Sequence, residues 1–340
     1  MVTYDNDGNP IDPQGFEVEG GRFHIILVTH DESTFYANDR RKTAWGHSSD
    51  KAVPQPKGEG QSLMISDFFT SEWGHLVDSN EEAPIIFKAG KNQDGYFASE
   101  DLLKQVDKAI DIFEGKTKDW AIGLFLFDNA PSHQRRAPDA LSAQKMPKNP
   151  LHGWTHKKGG PRMCPGQLPD GSSQDFYFPE DHLLMPENGL RAQCEGFKCE
   201  PGRTDCCCRR LLFTQPDFVN QKSHLEELII SRNHICDFYP KFHCELNFIE
   251  QYWGAAKLCY HASPWTKNME EIEANVIAAL DDIPLTQIRR YANRSAKFID
   301  AYIKGLNGAQ AAWAAQKYHG HCVLPENILR ELEVSQAMAS

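Results

Sequence analysis

Leu124–His133 reads LFLFDNAPSH. With the preceding WAIG it makes a nearly unbroken apolar run over Trp120–Phe127, the pattern of a central strand covered on both faces. The run stops at Asp128, followed by Asn129, a proline and His133. A carboxylate at the tip of so apolar a strand is costly unless a basic side chain, a helix N-terminus or a metal ion pairs it. Upstream, RFHIILVTHDESTF (22–35) reads as a second strand, ending at Asp31, and QSLMISDFFTSEWGHLV as two extended stretches around a turn. APIIFKAG is a further short strand. SEDLLKQVDKAIDIFEG is a helix, with Ser99 as its cap, Leu102, Leu103, Val106, Ile110 and Phe113 as its apolar stripe, and Gly115 as its end.

The chain of 340 residues is 40% hydrophobic and 24% charged, ordinary for a globular protein with a sizeable core. No apolar run is long enough to span a membrane, and the polar, turn-rich MVTYDNDGNPIDPQ matches neither a signal peptide nor a transit segment. The expected compartment is the cytosol or nucleus, where thiols stay reduced. A net charge of −11 argues against a chain that coats nucleic acid everywhere but leaves room for a local basic face. Residues 134–225 are rich in Pro, Gly, Cys and Lys with little periodicity, and are too long for a plain loop. They read as an insertion. Regular structure resumes with LEELIISRNHICDFYP, a helix then a strand, and with helices over Asn247–Tyr260, Met269–Leu280 and Leu285–Lys304.

Three pieces carry the chemistry: THDES, FDNAPSH and ELNFIEQYWG. If the first two strands are parallel neighbours, Asp31 and Asp128 lie side by side, and a helix across that sheet edge can bring Glu250 to the same point. Three such carboxylates would repel one another and take up protons unless cations lie between them. Two Mg²⁺ or Mn²⁺ ions suit hard oxygen ligands and can clamp both oxygens of an in-line phosphoryl displacement. Each assignment has an alternative. Asn247 and Glu250 also fit a capping box. Glu32 is the inward group if the register slips by one. His133 reads as a loop histidine or a catalytic one, Glu245 as a surface carboxylate or one that supports the ligands from behind, and Trp253 as packing.

In this order the motifs resemble those of DDE transposases with a ribonuclease H-like fold, the mariner-like superfamily in particular. DNAPSH is similar to the second-aspartate motif, NFIEQYWG to the terminal Asn-Pro-Ile-Glu-x-x-Trp motif, and HDES to the first-aspartate strand. FYPKFHCELNFIEQYWGAAK resembles fungal transposon-derived members. Phe248 stands where the family usually has proline. The resemblance implies an α/β, ribonuclease H-like mixed sheet flanked by helices. It further implies Asp31, Asp128 and Glu250 as catalytic ligands of Mg²⁺ or Mn²⁺, with Asn129 and His133 close by. The implied activity is cutting and joining of DNA phosphodiesters, with transposon ends and target DNA as partners, a homodimer as an open alternative, and the nucleus as location. The chain starts about one strand before Asp31, so the expectation is a catalytic core without end-recognition domains. The competing reading is a domesticated, non-catalytic protein that binds DNA or another protein.

The segments expected are a first core part (1–133), the Cys-rich insertion (134–225), a second core part (226–305) and a C-terminal tail (306–340). Within the insertion, CEGFKCEPGRTDCCCRR offers Cys194, Cys199, Cys206 and Cys208 as ligands of a structural Zn²⁺, with Cys164 and His182 as substitutes; free thiols are the alternative. Among basic clusters (Arg40–Lys42, His156–Lys158, Arg209–Arg210), IRRYANRSAK over 288–297 is the best candidate for meeting DNA phosphates.

Overall fold

The computed structural model describes residues 3–4, 10–11, 24–39, 57–78, 81–88, 94, 97–118, 120–143, 146, 154–167, 171–177, 208–318 and 323–339. The chain divides into two compact units, Met1–His133 with Leu228–Ser340, and Gln134–Glu227.

The first unit is built on a mixed sheet. Strand β1 (His24–Tyr36) lies at its centre, followed by β2 (Ser62–Thr70), β3 (Gly74–His75) and β4 (Ile85–Phe87). Helix α1 (Ser99–Thr117) then leads into β5 (Ala121–Phe127), and α2 (His224–Ser231) precedes β6 (Ile235–Phe238). The strand order is β6-β5-β1-β2-β3, with β4 also pairing to β2. β1 runs antiparallel to β2 and parallel to β5, and β5 runs parallel to β6. The third strand is split, because β3 pairs with Phe69–Thr70 and β4 with Met64–Ser66. Three antiparallel positions followed by two parallel ones, the fourth strand lying beside the first, make a ribonuclease H-like sheet.

The two faces of this sheet are covered differently. On one, Val106, Ile110 and Phe113 of α1 are fully buried, and the Phe113 and Phe125 rings meet edge to face at 5.9 Å. A Cβ on Gly123 would lie 2.5 Å from the Phe125 ring, so this close packing requires glycine. On the other face sits α3 (Phe248–Ala262), backed by α4 (Met269–Asp281) and α5 (Leu285–Ile303). Phe248, Ile249, Tyr252, Trp253, Ala256 and Tyr260 recur at helical spacing and pack into one core with Leu27, Phe35, Leu63, Ile65 and Phe69. Trp253 therefore packs, as expected, and so does Phe248 at the position where proline is usual.

Four details differ from the sequence reading. β1 does not end at Asp31 but continues to Tyr36, because its second half pairs with β2 from Thr29 to Tyr36. α1 starts at Ser99 with Ala98 as its N-cap; Asp101, not Ser99, reaches back to the Ala98 N–H (3.0 Å). It passes Gly115 and ends at Thr117, where Lys118 takes a left-handed conformation. The residues expected as a tail contain α6 (Gly308–Lys317) and α7 (Ile328–Ala339). Leu306, Ala311, Ala314, Leu324 and Ile328 from this region share a core with Tyr239, Leu246, Phe298 and Ala301.

The second unit has a small apolar core of its own, formed by Leu141, Ala143, Met146, Met163, Phe176, Tyr177 and Leu212. Its regular structure includes a two-stranded ladder (Gly166–Gln167 with Ser173–Gln174) and the helices Cys208–Thr214 and Pro216–Val219. Among the described residues, no helix is long and apolar enough to cross a membrane.

Candidate metal centre

The β1–β5 ladder pairs His24 with Ala121 through Thr29 with Leu126, a constant offset of 97. Continued by two residues, it sets Asp31 beside Asp128. Asp31 belongs to the face covered by α3, since alternation places it with Leu27, whereas the Asp128 carboxylate, just past the end of β5, turns to His133. Glu32 points to the opposite face, which excludes the register slip.

Glu250 is brought to this place by a clasp three residues before it. The Thr29 hydroxyl donates to the Asn247 side-chain carbonyl, and the Asn247 amide donates to the His30 carbonyl (3.4 Å). The Tyr239 hydroxyl lies 3.1 Å from the same Thr29 oxygen. Asn247 thus spends its side chain on β1 and makes no side-chain cap to α3. The capping box does not form. Glu250 is left in the first turn of α3, exposed to solvent at the edge of the sheet.

The electrostatics follow from this convergence. Burial first, then the charges of Glu250, Glu32 and Asp128, push the Asp31 carboxyl up to about 8. Partial desolvation against the sheet and the Asp128 charge also raise Glu250, although its side chain still meets solvent, against the opposing pull of Lys257. Asp128 is held below the usual carboxylate range, chiefly by its hydrogen bond with His133. A carboxyl raised by burial and, after that, by neighbouring carboxylates lies in a place where a cation would be favoured. Hard oxygen donors from Asp31, Asp128 and Glu250 fit Mg²⁺ or Mn²⁺.

Sequence reasoning named His133 and Glu32 but missed the link between them, and it missed the roles of His30, Asp67 and His75. His133 is buried and joins Asp128 to Glu32: Nδ1 meets the Asp128 carboxylate and Nε2 lies 3.2 Å from Glu32 Oε1. Opposed to the burial that would lower it, these two partners push His133 up to about 10. On the same face the His30 imidazole contacts Ser66 Oγ (2.8 Å), and burial lowers it to about 4. Directly across β1–β2 from Asp31 is another buried acid, Asp67. Its oxygens are bound by the Phe68 N–H (2.6 Å) and by His75 Nδ1 (2.6 Å). The other nitrogen of His75 meets the Tyr252 hydroxyl of α3 at 3.0 Å. The signal for these groups was the density of polar residues in THDES and SEWGH, uncommon in buried strands.

Other expectations fall elsewhere. Cys194, Cys199, Cys206 and His182, the side chain of Cys208, and Arg40–Lys42 lie outside the described residues. On α5, Arg289 donates to the carbonyls of Ser71 (3.0 Å) and Glu72 (3.1 Å), and Lys297 is buried. The expected basic face shrinks accordingly to the exposed Arg290 and Arg294. Glu245 accepts from the Tyr302 hydroxyl (2.5 Å) and lies 2.7 Å from His243 Nδ1, so it acts as a structural bridge.

No family model matches the sequence, and no curated protein does. Among solved structures the chain is similar to the Mos1 mariner paired end complex with Mn, at 11% identity and a TM-score of 0.43, over 81% of this chain and 55% of that one. It is similar to a pre-cleavage Mos1 transpososome at the same identity and TM-score, over 79% and 52% of the two chains. The chain thus spans about half the length of the solved chains it matches, on a sheet whose own strand order makes it ribonuclease H-like.

Proposed function

We propose that this chain is a DDE-type, mariner-like transposase core that cuts and joins DNA phosphodiesters, with Asp31, Asp128 and Glu250 as ligands of Mg²⁺ or Mn²⁺. One observation carries the reading. The Asn247 clasp ties the start of α3 to β1, and the charges of Glu250 and Asp128, distant in sequence, add to burial in raising the Asp31 carboxyl. When bound, such a metal pair supplies an activated water or hydroxyl and stabilises the leaving oxygen. The chain's own part is to fix the ligands. Asp31 and Asp128 stand on rigid neighbouring strands, Glu250 on a helix pinned to the same strand, and His133 orients Asp128. DNA is the expected partner and the nucleus the expected place of action. The cysteine quartet is read as a structural zinc site of the insertion.

Plasmid nicking in Mn²⁺ tests this reading. Wild type should convert supercoiled to open-circular DNA, and Asp128→Asn and Glu250→Gln should each lower the rate by at least a hundredfold with the fold intact. Nicking that is equal in wild type and both variants, or absent from wild type at millimolar Mn²⁺, refutes the enzymatic reading in favour of a non-catalytic, domesticated protein.

A further inference from the structure

On the sheet face opposite Glu250, three more ligand-type side chains converge. One ring nitrogen of His30, one of His133 and a carboxylate oxygen of Glu32 all lie within 4.8 Å of one another. The hydrogen bonds around them decide which atoms are available. Gln105 donates from its amide nitrogen to the Ser66 and Ala83 carbonyls (2.8 and 2.9 Å), which fixes its side-chain oxygen as an acceptor. That oxygen receives the Ser66 hydroxyl proton (2.7 Å). Ser66 Oγ can then only accept from His30, so His30 carries its proton on Nε2 (2.8 Å) and presents a bare lone pair at Nδ1. This Nδ1 is fully buried and has no hydrogen-bond partner. His133 differs in that both ring nitrogens face carboxylates, Nδ1 at Asp128 and Nε2 at Glu32 (3.2 Å), so a metal at Nε2 would take the place of the proton held there.

We propose that His30 Nδ1, Glu32 and His133 Nε2 form a binding site for one late first-row divalent ion of the Zn²⁺ type, with a ligand set different from Asp31, Asp128 and Glu250 and joined to it through the His133–Asp128 contact. Both histidines show the arrangement that metal-binding imidazoles need, with the remote N–H donated to a fixed acceptor that sets tautomer and ring orientation. Ligands on a tetrahedral ion with bonds of about 2.1 Å stand about 3.4 Å apart. His133 and Glu32 (3.2 Å) already have about that spacing, and the His30 ring nitrogen lies within 4.8 Å of both. Two imidazoles and one carboxylate select zinc, cobalt or nickel over magnesium, whereas the all-carboxylate set across the sheet selects magnesium or manganese. The ion would lock His133, and through it Asp128 and the loop after β5. The inference does not depend on the phosphodiester reading.

Co²⁺ titration of the full chain, with Mg²⁺ in excess to fill the carboxylate site, tests it. Wild type and Asp31→Asn should both develop visible d–d bands, saturating at one equivalent of N/O-bound Co²⁺. Cysteine-bound Co²⁺ would instead announce itself by an intense near-ultraviolet thiolate band. Glu32→Gln, which keeps a hydrogen-bonding group beside His133, should bind at least tenfold more weakly. In wild type, Zn²⁺ should shift the ring ¹⁵N resonances of two histidines, a readout that requires no variant to fold. Unchanged binding by Glu32→Gln, cobalt absorption of the thiolate type alone, or histidine resonances indifferent to Zn²⁺ would overturn the proposal. Absence of nicking by wild type, with Co²⁺ binding retained, would refute the enzyme reading and leave the site standing.

Discussion

Asp31→Asn should make the metal-free protein more stable than wild type, increasingly so as pH rises. The native carboxyl sits at about 8 against the usual 3.8, so between these values the folded state binds more protons at this group than the unfolded state does. Stability then falls with rising pH across that window, by 1.36 kcal/mol per pH unit while the native group stays protonated and the unfolded one is ionised. From pH 5 to pH 8 this amounts to about 4 kcal/mol. Relaxation around the ionised group reduces it, and a loss of about 2–4 kcal/mol is expected. Asparagine cannot ionise, so its stability profile lacks this descent. Urea unfolding of both proteins in chelator, at pH 5, 6, 7 and 8, measures the difference directly. Profiles that stay parallel, with a difference constant to within about 0.5 kcal/mol, would refute the claim that burial and neighbouring carboxylates hold Asp31 protonated.

Mn²⁺ should reverse that cost in wild type. At a hundredfold excess over its dissociation constant it adds about 2.7 kcal/mol to stability, and Asp128→Asn should remove most of the resulting rise in melting temperature. A rise of equal size in the variant counts against Asp128 as a ligand. Tyr252→Phe deletes a hydroxyl that bonds both His75 (3.0 Å) and the Leu280 carbonyl (3.1 Å) in a fully buried setting, and should cost about 1–3 kcal/mol in urea unfolding. A change below about 0.5 kcal/mol would mean that Asp67 and His75 do not depend on this link to α3.

The strands and long helices were legible in the sequence because their signals are local. The apolar run before Asp128, the stripe of α1 and the Phe248-to-Tyr260 face of α3 each express a period that neighbouring residues impose. The acids were legible for a related reason: Asp128 ends an apolar strand, where a charge needs an explanation. Boundaries set by distant partners were not legible. Nothing near Asp31 says that β1 continues to Tyr36, since that depends on β2 some thirty residues away. Likewise Leu306, Leu324 and Ile328 read as a tail until Tyr239, Phe298 and Ala301 complete their core. Above all, whether Asn247 and Glu250 form a helix cap lay with the hydrogen bond that Asn247 accepts from Thr29, 218 residues away. A side chain with several acceptable partners takes whichever the tertiary structure delivers, and sequence spacing alone does not specify that delivery.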